Sequence, residues 1–553
     1  MAGIADFLDS LIGGFDLICF CLAIGGLFWG TFILRPWHQE NGYNNELLGN
    51  TIALIYKGAF WLAAAQLFKV ILKIWLMTAL LDKWPFPEFA STTQFIGGII
   101  RTFLALVLAG YCYRYLSNNP YSKSHWLMAI LVAIPMVVSG AWLVHGAGRF
   151  ENQFFLMTFT VLHQVAAALW IGSIFQLVNL WILRSQHKIP DPLWPQLLRR
   201  FSPYGKAAVA AILASGLPIA LQYIDTWNGL VGTGYGNLLT VKFILLAMAL
   251  GYAWLNRSAV LTYGSLGNDY ALTRRVPYYI EAETFVLITL LFTAASLASQ
   301  PPAIDIPSLT ATWQEVLNTF KPQVPLTQSP THTDLLAGEA GRVAIVGQVP
   351  SIAATEWSNY NHNISGIFLT SMSFFAMLSY VKQLNALKAV NKYLGFTQYW
   401  PMGFVLLGIF LFIRSDAETW PLGPIGFWES TFNNGEVLQH RIATLLVFTL
   451  GIMELRARLS KNASQSLAYA FPVLSAFGGL MLLTHSHIGF QPKSAFLIQV
   501  GHTAMGIFSL ILACGRWLEL KLDNPGKQVA GFVSVAALFI IGLILMFYRE
   551  PLY

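Results

Sequence analysis

Trp142 to Trp181 reads WLVHGAGRFENQFFLMTFTVLHQVAAALWIGSIFQLVNLW. It is the end of one apolar run, a short polar turn, and most of a second run long enough to cross the roughly 30 Å of bilayer hydrocarbon. His145 closes the first run. His163 lies about 13 Å along the axis of the second at about 1.5 Å per residue, which puts both imidazoles in the same half of a membrane. Ala166, Ala167, Ala168, Gly172 and Ser173 follow, and small residues let membrane helices approach closely where hydrophobicity cannot drive packing. The pattern therefore predicts polar side chains held at a helix seam, away from lipid.

Outward from this stretch, the whole chain carries the same signature. Of 553 residues, 56% are hydrophobic and only 11% charged, with a mean hydropathy of +0.57. That composition excludes a soluble domain and predicts an all-α polytopic membrane protein. The net charge of +7 could suggest nucleic acid, but the basic residues are scattered over short loops, and membrane topology explains them. Cys19, Cys21, Cys112 and Cys514 fall inside apolar segments without a zinc-site spacing, so no disulfide framework is expected. The opening MAGIADFLDS has no lysine or arginine and lacks the basic n-region of a cleaved signal peptide, so the first apolar run is expected to stay as a span.

Runs of spanning length occur near residues 11–34, 58–81, 95–116, 126–145, 154–183, 204–224, 238–256 and 278–298. A polar segment rich in Pro, Thr, Ser and Gln follows, then runs near 363–381, 400–413, 437–458, 468–485, 496–518 and 528–547. This predicts about 14 transmembrane helices arranged as eight and six. The domains are expected at 1–298 (eight helices), 299–362 (a linker loop) and 363–553 (six helices). Alternate loops hold 21 lysines and arginines on one side and seven on the other. By the positive-inside rule the first set is cytoplasmic, and both termini and the 299–362 loop are periplasmic in a bacterial inner membrane. Ala311 to Phe320 could form an amphipathic helix at the interface or pack on the transmembrane core. No nucleotide-binding loop and no soluble domain large enough to hydrolyse ATP is visible, so no enzyme is expected unless haem binding brings redox activity.

The topology gathers histidines. His440 lies in the first turn of its span, His485 and His487 end the next, and His502 sits in the second turn of the one after. Because these helices alternate in direction, all reach the outer face, with His145 and His362 at that level and His163 deeper. Met481 precedes His485 by four residues and Met505 follows His502 by three, so each pair shares a helical face. Imidazole suits copper, iron and zinc, and thioether suits Cu(I). Against this stand the bland readings: core imidazoles, methionine as core filler, and His38, His125 and His187 as cytoplasmic loop residues. Lys69, Lys73, Arg101, Lys242 and Arg441 lie within spans; Lys69 is too central to snorkel and should find a partner or line a polar cavity. Glu281 and Glu283 are expected to pair with Arg274 and Arg275.

His163, the alanine run, Trp170 and Gly172 resemble the LH-x-x-AAA-x-W-x-G signature of the bacterial copper-resistance CopD family. His145-Gly146-Ala147 is similar to its GHA element, with Val144 where the family usually carries glycine. Tyr235-Gly236, Leu239, Lys242 and Asn256-Arg257 resemble its T-x-YG-x-L-x-x-K…NR segment, and Arg274-Arg275, Glu281, Glu283 and Pro301-Pro302 its last helix. The likeness is good over about residues 125–303 and weaker in the C-terminal third. It implies a copper-handling inner-membrane protein that accepts copper ions outside and moves them into or across the membrane, with His145, His163, His440, His485, His487, His502, Met481 and Met505 as candidate metal ligands. A periplasmic copper chaperone is a possible partner, recruited through the 299–362 loop. The alternative is a haem b electron-transfer protein, with axial ligands from His440, His485 and His502 and a propionate on Arg441.

Overall fold

The computed structural model describes residues 2–42, 45–188, 193–266, 270–339, 351–383, 394–414, 426–428, 430–432, 435–460, 465–484 and 492–551. Among them every regular element is helical. The chain is a multi-pass membrane protein: among the described residues, twelve helices are long and apolar enough to cross a bilayer. Two expected spans differ from these. The helix Met402–Arg414 has 13 residues, about 20 Å at 1.5 Å per residue, short of the hydrocarbon thickness. The helix Gly435–Leu459 is long enough but carries Glu436, Arg441, Glu454, Arg456 and Arg458.

The long helices are α1 Ala2–Phe28, α2 Asn45–Leu81, α3 Thr93–Tyr111, α4 Lys123–Ser139, α5 Gln153–Ser185, α6 Leu193–Tyr223, α7 Gly234–Leu266 and α8 Val276–Ser299. After a short helix α9, Trp313–Thr319, come α10 Ile352–Gln383, α11 Met402–Arg414, α12 Gly435–Leu459, α13 Gln465–Leu483, α14 Pro492–Lys521 and α15 Gly526–Met546. They form two compact units. One comprises residues 8–225 and 246–300, the other 1–7, 226–245 and 301–553. Residues 226–245 thus go with the C-terminal part of the chain.

In the first unit the small-residue run does what its composition predicts. Gly172 of α5 faces Gly25 of α1 so closely that a Cβ on Gly172 would lie 2.1 Å from the Cys21 carbonyl oxygen. Only glycine fits that crossing, which buries Trp170, Ile171, Ser173 and Gln176. The second unit is built differently. Helices α10 to α15 pack in a closed ring, each on the next and α15 back onto α10. Leu369, Met372, Phe404, Phe471, Met505, Leu512 and Leu538 fill its middle.

The segment that follows α8 takes the packing alternative. Thr312 caps α9 in a reciprocal capping box with Glu315. Ala311 and Val316 bury against Phe496 and Val500 of α14, and Lys493 Nζ pairs with Glu315 at 2.6 Å. That lysine and the Thr312 backbone N–H pull the Glu315 carboxyl down from 4.5 to about 2.

Candidate functional site

The first unit holds His163 on α5. Its Nδ1 lies 3.2 Å from the Ile212 carbonyl and 3.2 Å from Ser215 Oγ, both on α6. A carbonyl only accepts, so Nδ1 carries the proton and Nε2 is the basic nitrogen. Gly216 makes the seat, because a Cβ there would meet the ring at 2.9 Å. His145 touches the same helix higher up, edge-on to Tyr223 at 6.5 Å. Eight residues separate Tyr223 from Ser215, about 12 Å along α6, so the two imidazoles contact that helix at different depths. His145 itself lies in a 3₁₀ turn, His145–Gly148, after α4 has ended at Ser139.

Two of the intramembrane cations, Arg101 and Lys69, pair with aspartates of α1. Arg101 Nη2 lies 3.5 Å from Asp16 Oδ2, with side-chain exposures of 5% and 7%. Gln66 donates to the other Asp16 oxygen at 2.6 Å. Lys69 pairs with Asp9 at 3.6 Å. Charges this deep are costly unless paired and hydrogen-bonded, which explains the assembly of α1, α2 and α3 side chains. Glu283 is fully buried and accepts from Asn256 Nδ2 at 3.0 Å; the expected pairing with Arg274 or Arg275 gives way to an amide on the neighbouring helix. His38, read as a loop residue, is buried, and its Nδ1 donates to the Gly42 carbonyl at 3.0 Å.

The second unit gathers imidazoles differently from the expected cluster. His502, buried on α14, meets His362 of α10, with ring centroids 5.6 Å apart and planes at 87°. Tyr548 stacks on His362 at 4.1 Å and stands edge-on to His502 at 5.8 Å. His362 belongs to a helix because α10 starts at Ile352, ten residues before the expected loop ends. Met505 and Met481 are both buried, Met505 in the bundle core one turn from His502. His440 is half-buried on α12. Its neighbour Arg441 donates to the Phe412 carbonyl at 3.2 Å and lies over the Phe427 ring, engagements that compete with a propionate. His485 and His487 lie outside the described residues. Among the described residues no three His, Cys, Asp or Glu side chains converge as a metal site.

At the other end of the same bundle, Glu454 accepts from Arg458 Nε at 2.7 Å and from Arg516 Nη2 at 2.9 Å, while Arg516 Nη1 reaches Glu519 at 2.9 Å. Arg458, Arg516 and Glu519 line a cavity of about 30 Å³ with Tyr380, Trp400 and Ser534, room for about one water.

Fold and buried groups together define an integral membrane protein whose helices carry paired charges and imidazoles inside the bilayer. The family described as copper resistance protein D, CopD, matches residues 195–297. A copper transport protein, CutJ of Bacillus subtilis strain 168, is 30% identical over 212 residues, 37% of this chain. The chain spans 36% of that relative's length. No solved structure matches. The matched family residues include Asn256 and Glu283 and begin after His145 and His163.

Proposed function

We propose that this protein handles copper in the bacterial inner membrane, accepting copper ions at a periplasmic face that also bears both termini, and moving them into or across the bilayer. Histidines and methionines would pass the ion between sites of low coordination, each weak enough to release it. His163 and His145 serve the first unit, and His440, His485, His487, His502, Met481 and Met505 the second. The ion would arrive free or from a periplasmic copper chaperone.

The observation that carries the reading is His163. It is an ionisable side chain inside a span, oriented by Ile212 and Ser215 and seated on a glycine, in a chain with a CopD-family segment. Intramembrane ionisable groups are retained for function by default. Replacing His163 with alanine is expected to lower cellular copper accumulation or copper tolerance at normal expression. Unchanged copper in membranes holding the variant would remove His163 from the path.

The haem b alternative needs a flat slot beside its axial imidazole. Beside His502 that space is occupied by Tyr548, which would have to leave before a porphyrin entered.

A further inference from the structure

We infer that His362 and His502 together form a two-coordinate Cu(I) site at the outer end of the α10–α15 bundle, with Glu550 as its outer-shell anion; this rests on the copper-handling reading and adds a ligand to it.

The argument begins with the protons. His362 Nδ1 lies 2.8 Å from the Ser358 carbonyl oxygen and 3.3 Å from Ser358 Oγ. His502 Nδ1 lies 3.0 Å from the Ile498 carbonyl. Both acceptors are backbone oxygens one turn back on the same helix, so both rings carry hydrogen on Nδ1, and Nε2 is the basic nitrogen of each. Two neutral imidazoles in this tautomer are ligands in the state that a metal requires.

The spacing suits a linear bridge. With nitrogen–metal distances of about 2 Å and about 1 Å from ring centre to nitrogen, two trans imidazoles have centroids near 6 Å apart. The observed centroid separation is 5.6 Å. Two ligands suffice for a monovalent d10 ion, whereas Zn²⁺ asks for about four. Moving a single charge into a low-dielectric site is also cheaper than moving two. Met505, buried one turn below His502, is a soft thioether on the same helical face for onward transfer.

The second shell is that of a metal site. Ser358 Oγ donates to Glu550, leaving its lone pairs to accept from His362, and Tyr548 Oη donates to the same carboxylate at 3.4 Å. A carboxylate reached through a hydrogen bond from the distal ring nitrogen fixes ligand orientation and raises basicity. The segment bearing Tyr548 and Glu550 is pinned to α10 by Asn359, which accepts from the Glu550 N–H at 2.8 Å, and by Asn363, which donates to the Tyr548 carbonyl at 3.0 Å. Three polar residues of one helix, Ser358, Asn359 and Asn363, thus hold His362 and its flanking ring in place.

The test is Cu(I) competition titration of the purified full-length protein against a chromogenic chelator, with X-ray absorption of the loaded protein. The variants are His362→Phe, His502→Phe and Glu550→Gln; phenylalanine keeps the stacking on Tyr548 and removes the nitrogen. Each phenylalanine variant should weaken one Cu(I) equivalent by about 100-fold or more, the pair together no further, and Glu550→Gln by about tenfold. The absorption edge should report two nitrogen neighbours near 2 Å. Equal Cu(I) affinity in wild type and His362→Phe, both folded by thermal melt, would overturn the site whatever the cells do with copper. Loss of this Cu(I) equivalent while cellular copper is unaffected by deleting the whole protein would keep the site and refute the transport reading.

Discussion

The first unit and the His362 end of the second treat buried polarity in opposite ways, while Glu454 and Arg516 at the other end of the second unit pair across α12 and α14 as the first unit's charges do. In the first, buried charges are paired across helices, Arg101 with Asp16 and Lys69 with Asp9, and Gln66 adds a hydrogen bond to Asp16. Even His163 reaches over to another helix for its hydrogen bonds. At one end of the second unit, His362 and His502 bond back to their own helices, and their rings meet each other. Hydrogen bonds between helices hold a bundle together; hydrogen bonds within a helix orient a side chain and leave the helix partnerships to apolar packing. The first arrangement therefore contributes mostly to assembly, and the second presents ligands.

Breaking the first arrangement should be the more damaging. Arg101→Met leaves Asp16 buried beside Gln66 alone and should destabilise the protein by about 3–5 kcal/mol. Adding Asp16→Leu should recover much of this, measured by unfolding in mixed micelles; no recovery would mean that Arg101 acts through something other than the pair. Gly172→Ala puts a methyl group against the Cys21 carbonyl and should cost about 1–3 kcal/mol through displacement of α1 from α5. Of similar size, Glu283→Ala strands the Asn256 amide in a buried site, about 1–3 kcal/mol, while Glu283→Gln should be nearly neutral because the amide oxygen still accepts.

The smallest effect concerns the strap over α14. Glu315 has its carboxyl lowered to about 2 by Lys493 and Thr312, from 4.5 when free. The stabilisation is therefore fully present above about pH 4.5 and is lost as pH falls from there towards 2. Because the pair is partly exposed, Glu315→Gln should cost under about 1 kcal/mol. Spin labels at Asn318 and Ser494 should keep one distance from pH 8 to 5 and broaden below 4; a distribution unchanged down to pH 2 would show that Ala311 and Val316 alone hold the strap.

Much of this architecture was legible before any coordinates. Apolar runs of spanning length announce helices because lipid leaves the backbone no other partner, and the Ala166–Gly172 run announced a close crossing. What was not legible is whatever depends on distant partners. Asp16 and Arg101 are 85 residues apart, and nothing near either residue encodes the other. His362 was placed in a loop because its neighbours are asparagines and serines. Those same residues, Ser358, Asn359 and Asn363, are polar because they hold the segment at Tyr548–Glu550. A polar run beside a histidine marked a ligand's support and was read as a solvated linker. Spacing along single helices puts Met505 and His502 on one face, but it does not show which imidazole of another helix lies beside His502, since that depends on which helices adjoin.

The most direct test of the account is copper flux through the purified protein in sealed vesicles, with Cu(I) supplied outside and a chromogenic Cu(I) chelator trapped within. The account predicts colour that grows with time in proportion to protein, and a rate reduced to that of protein-free vesicles by His163→Ala. Vesicles whose protein binds Cu(I) yet develop no more colour than lipid alone would contradict it.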